Sequence, residues 1–215
     1  MTGSEPAPGR RHDSPVADPG LGLAPAPTVA AHSRFVQRLQ RRYADWLDLL
    51  PAGAPTRESL TQTLALLRER GLALDAALRV LRQITLARLV RLDTEAQAPL
   101  ETITRAMTWL AEVTLDAAWQ QVQADLDALH GVPTTAAGRR AELWIVGMGK
   151  LGARELNVSS DIDLIYVYDE DGETAGNADG RGRLSNQEYF ARGVKRMHTL
   201  IGETTEHGWV FRVDL

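Results

Sequence analysis

Hydrophobic and polar positions follow a helical period over the first half of the chain, from about residue 33 to residue 131. Apolar residues recur there every three or four positions, which is typical of helices that bury one stripe in a common core. Pro51 and Pro55 end the first predicted helix, because proline interrupts helical hydrogen bonding. The apolar positions of that helix are Phe35, Leu39, Tyr43, Trp46 and Leu50.

Three more helices are predicted before residue 131. Thr56 is a suitable N-cap for a second helix through Arg70, and Gly71 is a natural stop. Pro99 suits the first turn of a fourth, long helix that ends at His130. The core-facing positions of the third and fourth helices are Leu74, Leu78, Leu81, Ile84, Ile103, Met107, Leu110 and Ala117. These stripes predict packed antiparallel helices.

From residue 141 the period changes, and short apolar runs rich in β-branched and aromatic residues predict strands. Ser185 is placed to cap a helix that reaches about Ile201, and residues 169–183 are expected to be a loop. The three predicted strands, of which the first is expected to be buried, are 143–146, 162–168 and 208–215. We therefore expect an α+β fold, in which a helical region (33–131) precedes a mixed β-sheet core with helices (141–215) that is incomplete at its third strand.

Composition narrows the class of protein. Residues 1–32 are rich in Pro and Ala and lack apolar periodicity, which predicts a disordered tail. Arg10, Arg11 and His12 are followed by Ala-Pro repeats instead of an apolar stretch, so no secretory signal is expected. No apolar run is long enough to span a membrane. The chain has no cysteine, which excludes disulfides and thiolate metal sites and fits a cytoplasmic location.

The charge balance and the histidines argue against two classes of function. The formal net charge is −4, whereas proteins that bind nucleic acid usually carry a basic surface, so DNA or RNA is not expected as a partner. None of the five histidines stands near a candidate nucleophile, so triad hydrolysis has no support. His198 and His207 are expected to lie at the surface.

A glycine-rich turn, GMGKLG at residues 147–152, follows the first predicted strand directly. Glycines let backbone N–H groups approach a phosphate, and a helix that begins there adds the positive end of its dipole. Lys150 adds a positive charge in the same turn. Gly147, Gly149 and Lys150 are therefore candidates for phosphate binding.

Asp161 and Asp163 stand two residues apart at the start of the second predicted strand. Side chains at that spacing share one face of a strand, roughly 6–7 Å apart along the chain. Two carboxylates on one face repel each other unless a cation lies between them, and Mg²⁺ is the usual one. Asp214 is an acid in an otherwise apolar third strand. If that strand lies beside the second, three carboxylates can hold the metals that assist phosphoryl displacement.

Two other phosphate-binding motifs resemble this turn but do not fit the sequence. Gly147, Gly149 and Gly152 match the G-x-G-x-x-G of dinucleotide-binding folds. In those folds a full crossover helix follows the glycines, but here only residues 153–160 separate Gly152 from Asp161, and this segment is too short for such a helix. The P-loop pattern with Gly-Lys-Ser/Thr is absent. The motif that fits the spacing is the metal-dependent one.

A glycine turn, a short helix, Asp-x-Asp on a strand and an acid on a later strand resemble the DNA polymerase beta-like nucleotidyltransferases. The segment GMGKLGARELNVSSDIDL (147–164) looks like the hallmark of glutamine synthetase adenylyltransferases, and the resemblance extends over roughly residues 35–215, with SNQEYF (185–190) and GWVFRVDL (208–215) as later matches. Members carry two transferase halves, and this chain looks like the N-terminal half, which removes AMP from a tyrosine of glutamine synthetase by phosphorolysis.

The resemblance implies roles for individual residues. Mg²⁺ would be bound by Asp161, Asp163 and Asp214, and the phosphate side would be lined by Gly147, Gly149 and Lys150, with Ser159 and Ser160 nearby. Substrates and products would be ATP, ADP and phosphate. The expected partners are glutamine synthetase and a PII-type nitrogen signalling protein.

The chain departs from the family pattern at three places. Ala153 replaces a second glycine, Glu112 ends a Thr-Trp-Leu-Ala-Glu segment where the family has Ser-Asp-Leu-Ala-Asp, and the sequence stops before an expected Arg-Leu-Arg-Pro stretch. The chain therefore has the look of a fragment. A non-catalytic fragment that contacts glutamine synthetase or a signalling protein stays open as an alternative.

Overall fold

The computed structural model describes residues 29–214 and, within that range, every side chain except those of Val29, Ala31 and Asp214. The predicted disordered tail lies outside these residues apart from its last four, which form a 3-10 helix, Val29–His32. Seven α-helices occur in the described part of the chain. They are α1 (Arg34–Arg42), α2 (Ala44–Leu47), α3 (Arg57–Glu69), α4 (Leu74–Thr94), α5 (Leu100–His130), α6 (Gly149–Gly152) and α7 (Asn186–Gly202).

The predicted first helix is two helices, because the backbone leaves the helical region at Tyr43. Its φ and ψ are −117° and 20°, so it ends α1 and begins α2. The Tyr43 ring is buried, and its hydroxyl is hydrogen-bonded to His207 Nδ1 at 3.2 Å. The break therefore coincides with a contact between Tyr43 and the distant His207. Hydrophobic periodicity in the sequence does not show such a contact.

Helices α3, α4, α5 and α7 confirm the predicted helices, but Pro99 is the N-cap residue before α5 and not part of its first turn. Thr56 caps α3 through a reciprocal pair of hydrogen bonds with Ser59, and Gly71 after the helix has φ +93°. Ser185 caps α7 by accepting a hydrogen bond from the N–H of Glu188. Local sequence signals are sufficient for these helices because a cap and an apolar stripe act within a few residues.

The strands form two sheets in the described residues. Strands β1 (Pro133–Thr135) and β4 (Gly172–Thr174) make an antiparallel pair. The second sheet has the order β2-β3-β5, with β2 (Leu143–Gly147) antiparallel and β5 (Val213–Asp214) parallel to β3 (Ile162–Tyr168). This confirms an α+β fold. The β1–β4 pair was not predicted, since β4 lies inside the expected loop, and β5 is much shorter than the third predicted strand.

The first predicted strand is not buried as expected, because helices cover only one face of its sheet. The other face of β2 and β3 carries apolar side chains that are each 43–50 % exposed, namely Trp144, Val146, Ile165 and Val167. Val146 pairs with Ile165, and Trp144 with Val167, across the two strands. A continuous apolar run predicts burial on both faces. Here it produces an open apolar face, which we call the open sheet face.

A single group of buried side chains extends through both parts of the chain. It includes Leu39 on α1, Met107 on α5, Ile162 on β3, Met197 on α7 and Phe211 before β5. The helical region therefore packs directly on the sheet core. In the described residues, no helix is both long enough and apolar enough to cross a membrane.

His198 and His207 are not the surface residues that were expected. His198 is half-buried and hydrogen-bonded through Nε2 to the Tyr166 hydroxyl at 2.5 Å, and burial lowers its pKa. His207 packs against Tyr43, with ring centroids 5.8 Å apart. Both histidines join elements that are distant in sequence, which is a tertiary property.

Candidate active site

Asp161 and Asp163 flank a residue that anchors the start of β3. Ile162 is fully buried, whereas both aspartates are exposed, so the alternation of a strand places the two carboxylates on the side away from the core. Among the described side chains, neither carboxylate has a hydrogen-bond or ion-pair partner. Two exposed, unpartnered carboxylates on one side of a strand start are suited to a hard cation.

The backbone brings Asp214 beside this pair. In the parallel pairing of β3 with β5, Asp163 is in register with Asp214, and the Ile162 N–H donates to the Arg212 carbonyl at 3.0 Å. The adjacency of the second and third strands, on which the predicted site depends, is therefore present. Among the side chains that the structure describes, which do not include that of Asp214, no group of three metal-binding residues is found. A three-carboxylate site stays a prediction.

The glycine turn folds against the base of this pair of strands. Helix α6 is a single turn, and the Met148 N–H donates to the Asp163 carbonyl at 2.9 Å. A Cβ on Gly149, whose φ is +50°, would lie 3.4 Å from Asp163 Oδ2. The absence of a side chain at Gly149 thus leaves space beside one candidate carboxylate.

The other two glycines of the turn are required by packing. A Cβ on Gly152 would lie 2.5 Å from the Gly147 carbonyl oxygen, and one on Gly147 would lie 2.7 Å from Leu151 Cγ. Such distances are shorter than van der Waals contact allows. Close packing within the turn therefore explains why glycine stands at positions 147 and 152, where the spacing matches a dinucleotide-binding motif.

The predicted phosphate-binding residues fall into two groups. Gly149 and Lys150 are exposed at the turn. Ser159 and Ser160 instead line a cleft of about 950 Å³ between the helical region and the start of β3. Among the described residues, this cleft includes neither the glycine turn nor Asp161 and Asp163. The two serines and the glycine turn therefore do not share this cleft.

Arg82 and Arg212 are features of this cleft that sequence reasoning missed. Arg82 Nη2 donates to the Val158 carbonyl at 3.3 Å, and Arg212 Nη2 donates to the Ser159 carbonyl at 3.0 Å. Burial lowers the pKa of Arg82, and the positive charge of Arg212 lowers it further. An arginine still stays protonated near neutral pH. In the sequence these residues stand 130 positions apart and carry no shared motif.

Glu112 belongs to the segment in which this chain differs from the family pattern, and its carboxylate forms an ion pair. Arg57 on α3 contacts Glu112 at 3.1 Å and Asp116 at 2.6 Å, both on α5. Thr108, at the start of the same segment, accepts a hydrogen bond from the Leu156 N–H at 3.4 Å. In this chain the segment joins α5 to α3 and to the loop before β3.

Comparisons of the sequence with a family model and with known proteins all point to the same family. A model of the glutamate-ammonia ligase adenylyltransferase family matches residues 24–215. The chain is 42% identical over 210 residues to the bifunctional glutamine synthetase adenylyltransferase/adenylyl-removing enzyme of Ralstonia nicotianae, an alignment that covers 94% of this chain and 21% of that protein.

Two further relatives bear the same description. The protein of Aromatoleum aromaticum is 41% identical over 199 residues, which are 89% of this chain and 21% of the relative. The protein of Burkholderia pseudomallei is 47% identical over 143 residues, which are 66% of this chain and 15% of the relative. The chain thus spans about a fifth or less of the length of these relatives.

Proposed function

Since the chain belongs to the glutamate-ammonia ligase adenylyltransferase family, we propose that it carries the metal-binding part of a nucleotidyltransferase that removes AMP from glutamine synthetase. The observation that carries this proposal is the start of β3. Asp161 and Asp163 lie there exposed and without described partners, and Asp214 is in register with Asp163. The names of the relatives, which describe both addition and removal of adenylyl groups, support the target.

The donors of this site fit a hard divalent cation. Asp161, Asp163 and Asp214 supply carboxylate oxygens, the ligand type that Mg²⁺ prefers, and Gly149 leaves space at Asp163 Oδ2. When bound, Mg²⁺ would supply charge stabilisation for the phosphoryl group. The exposed Gly149–Lys150 turn would orient the phosphate chain through backbone N–H groups and one positive charge.

The reaction assigned to this half is phosphorolysis of a tyrosyl-AMP bond. A phosphate oxygen attacks the AMP phosphorus, the bond to the tyrosine oxygen breaks, and ADP and the free tyrosine are formed once the phenolate takes up a proton. The opposite reaction, transfer of AMP from ATP, belongs in this proposal to another half of the whole protein. A cytoplasmic location and control by a PII-type signalling protein are part of the same proposal.

The test replaces each aspartate singly by asparagine, which keeps the size of the side chain and removes its charge. We expect Asp161→Asn and Asp163→Asn to lower phosphate-dependent ADP release from adenylylated glutamine synthetase by about a hundredfold or more, because a metal clamp contributes several kcal/mol. The rate is measured in the whole protein that contains this chain. Mg²⁺ binding by the 215-residue chain is measured alongside by calorimetry.

Asp179→Asn is the matched control, since Asp179 is an exposed loop aspartate outside the site. It is expected to leave both readouts unchanged. Wild-type ADP release in Asp163→Asn would refute the assignment of the site. A chain that binds glutamine synthetase but neither Mg²⁺ nor nucleotide would support the alternative, a non-catalytic binding fragment.

A further inference from the structure

The cleft between the helical region and the start of β3 differs in charge from the chain as a whole. The chain carries a formal net charge of −4. Of the charged residues that line the cleft in the described chain, four are arginines (Arg38, Arg42, Arg82 and Arg212) and two are acids (Asp93 and Glu206). A concave surface with excess positive charge attracts anions.

One of these arginines is neutralised inside the cleft, since Arg42 forms an ion pair with Glu206 at 3.4 Å. Arg38 lies over the Phe35 ring, 5.8 Å from its centroid, and forms no ion pair with any described side chain. Arg82 and Arg212 form no such ion pair either. They differ from Arg38 because both contact the same loop.

Both of these guanidinium groups are held at one loop, residues 157–160. Arg82 and Arg212 each donate one hydrogen bond to a carbonyl of this loop, at Val158 and Ser159. Arg82 also lies over the ring of Phe211, 5.9 Å from its centroid. These contacts fix two like charges near each other, an arrangement that is unfavourable unless an anion joins them.

Arg82 also has an unused donor. Its Nε is shielded from solvent and has no acceptor among the described atoms. A buried donor without an acceptor costs free energy, and native proteins contain few of them. An acceptor bound against this part of Arg82 would satisfy the donor, and an anionic acceptor would also offset the two positive charges.

We propose that Arg82 and Arg212 bind the phosphate group of a small phosphorylated ligand in this cleft. Phosphate matches the fork of a guanidinium group, and its two negative charges balance two arginines. The Ser159 and Ser160 side chains line the same cleft and offer hydroxyl donors.

The rest of the cleft suits the body of such a ligand. Its volume of about 950 Å³ is within the range of small-molecule sites. Its walls include apolar side chains, among them Leu86, Val90 and the partly exposed Trp209. An indole ring can stack on a planar base. The ligand is therefore of nucleotide size. The residues that line the cleft include Ser160, the neighbour of Asp161 in the chain, but neither Asp161 nor Asp163.

Calorimetric titration of the 215-residue chain with inorganic phosphate and, separately, with adenosine monophosphate tests this site. Chelator is present throughout, so that divalent cations play no part, and ionic strength is constant at about 0.15 M, where charges beyond about 8 Å are screened. We expect saturable binding by the wild type. Arg212→Gln is expected to weaken it about tenfold or more, because a charge-assisted hydrogen bond is lost.

Arg82→Lys keeps the charge and removes the fork, so it is expected to weaken binding as well. Arg82 is partly buried, so Arg82→Lys could unfold the chain. In that case Arg212→Gln decides the test, because Arg212 is exposed. Arg42→Gln is the matched control. It removes one positive charge from the same cleft at a residue already paired with Glu206, and it is expected to change affinity less than about twofold.

The outcomes separate the possible ligands and the two proposals. Tighter binding of adenosine monophosphate than of phosphate supports a nucleotide site, and equal binding supports a site for free phosphate. Failure of the wild type to bind either, or equal binding by wild type and Arg212→Gln, overturns the proposal. Asp163→Asn is expected to bind as the wild type does, so this test is independent of the proposed metal site.

Discussion

At the residue scale, the glycines of the turn after β2 serve different purposes. Gly147 and Gly152 are needed because the turn doubles back on itself, as the close approach of their would-be Cβ atoms shows. Gly149 is different, since its neighbour is the Asp163 carboxylate. Of the three glycines, only Gly149 therefore lies beside a carboxylate of the proposed site.

This difference predicts the effect of Gly149→Ala. The positive φ of +50° makes alanine unfavourable by about 1–2 kcal/mol in unfolding free energy, which urea denaturation measures. The added methyl also occupies space beside Asp163 Oδ2, so Mg²⁺ binding measured by calorimetry is expected to weaken.

Gly180→Ala is the control for Gly149→Ala. Gly180 has φ +70°, but an added Cβ there meets no atom within 4 Å. It is expected to lower stability by a similar amount and to leave Mg²⁺ binding unchanged. Equal Mg²⁺ affinity in the two variants would contradict the role given to Gly149.

At the element scale, a buried arginine joins α4 to the end of α7 and to the segment before β5. Arg79 is almost fully buried and donates to four carbonyl oxygens, those of Asp75, Leu200, Glu203 and Gly208. Burial lowers its pKa, and the carboxylates of Asp75 and Glu203 oppose that shift. These bonds hold the chain that leads to β5, so they contribute to the position of Asp214.

Arg79→Met is predicted to be strongly destabilising. Methionine fills much of the space but leaves buried carbonyl oxygens without a donor, so the unfolding free energy is expected to fall by about 3 kcal/mol or more. Urea denaturation measures this change. Arg91→Met on the same helix is the control, because Arg91 is exposed and is expected to cost less than about 0.5 kcal/mol. A loss below about 1 kcal/mol for Arg79→Met would contradict this account.

At the scale of the whole molecule, the helical region and the sheet core share one hydrophobic interior. Buried side chains from α1 to Phe211 belong to one connected group, and α5 contributes to it along most of its length. The sequence suggests two parts that meet near residue 141. Their shared interior means that each part buries some of its apolar residues against the other.

A single unfolding transition is therefore expected for residues 29–214. Far-UV circular dichroism, which reports mainly on the helices, and tryptophan fluorescence should give the same midpoint. Phe211→Ala, which removes a buried ring just before β5, is expected to lower both midpoints together. Two separated transitions, or a shift in one signal alone, would show that the two parts unfold independently.

The sequence by itself determined those features that depend on neighbours along the chain. The caps at Thr56 and Ser185 and the stripes of α3, α4, α5 and α7 were predicted from signals a few residues apart. The exposed positions of Asp161 and Asp163 around the buried Ile162 follow from the two-residue period of a strand.

Only the tertiary structure decided the features that join distant residues. The break at Tyr43, the β1–β4 pair and the open sheet face each depend on which surfaces meet, and the cleft of Arg82 and Arg212 joins segments that share no local pattern. Side-chain periodicity records which face of an element is apolar, but it does not record what covers that face. Contacts across 129 positions, such as that of Arg79 with Gly208, form only when the whole core packs.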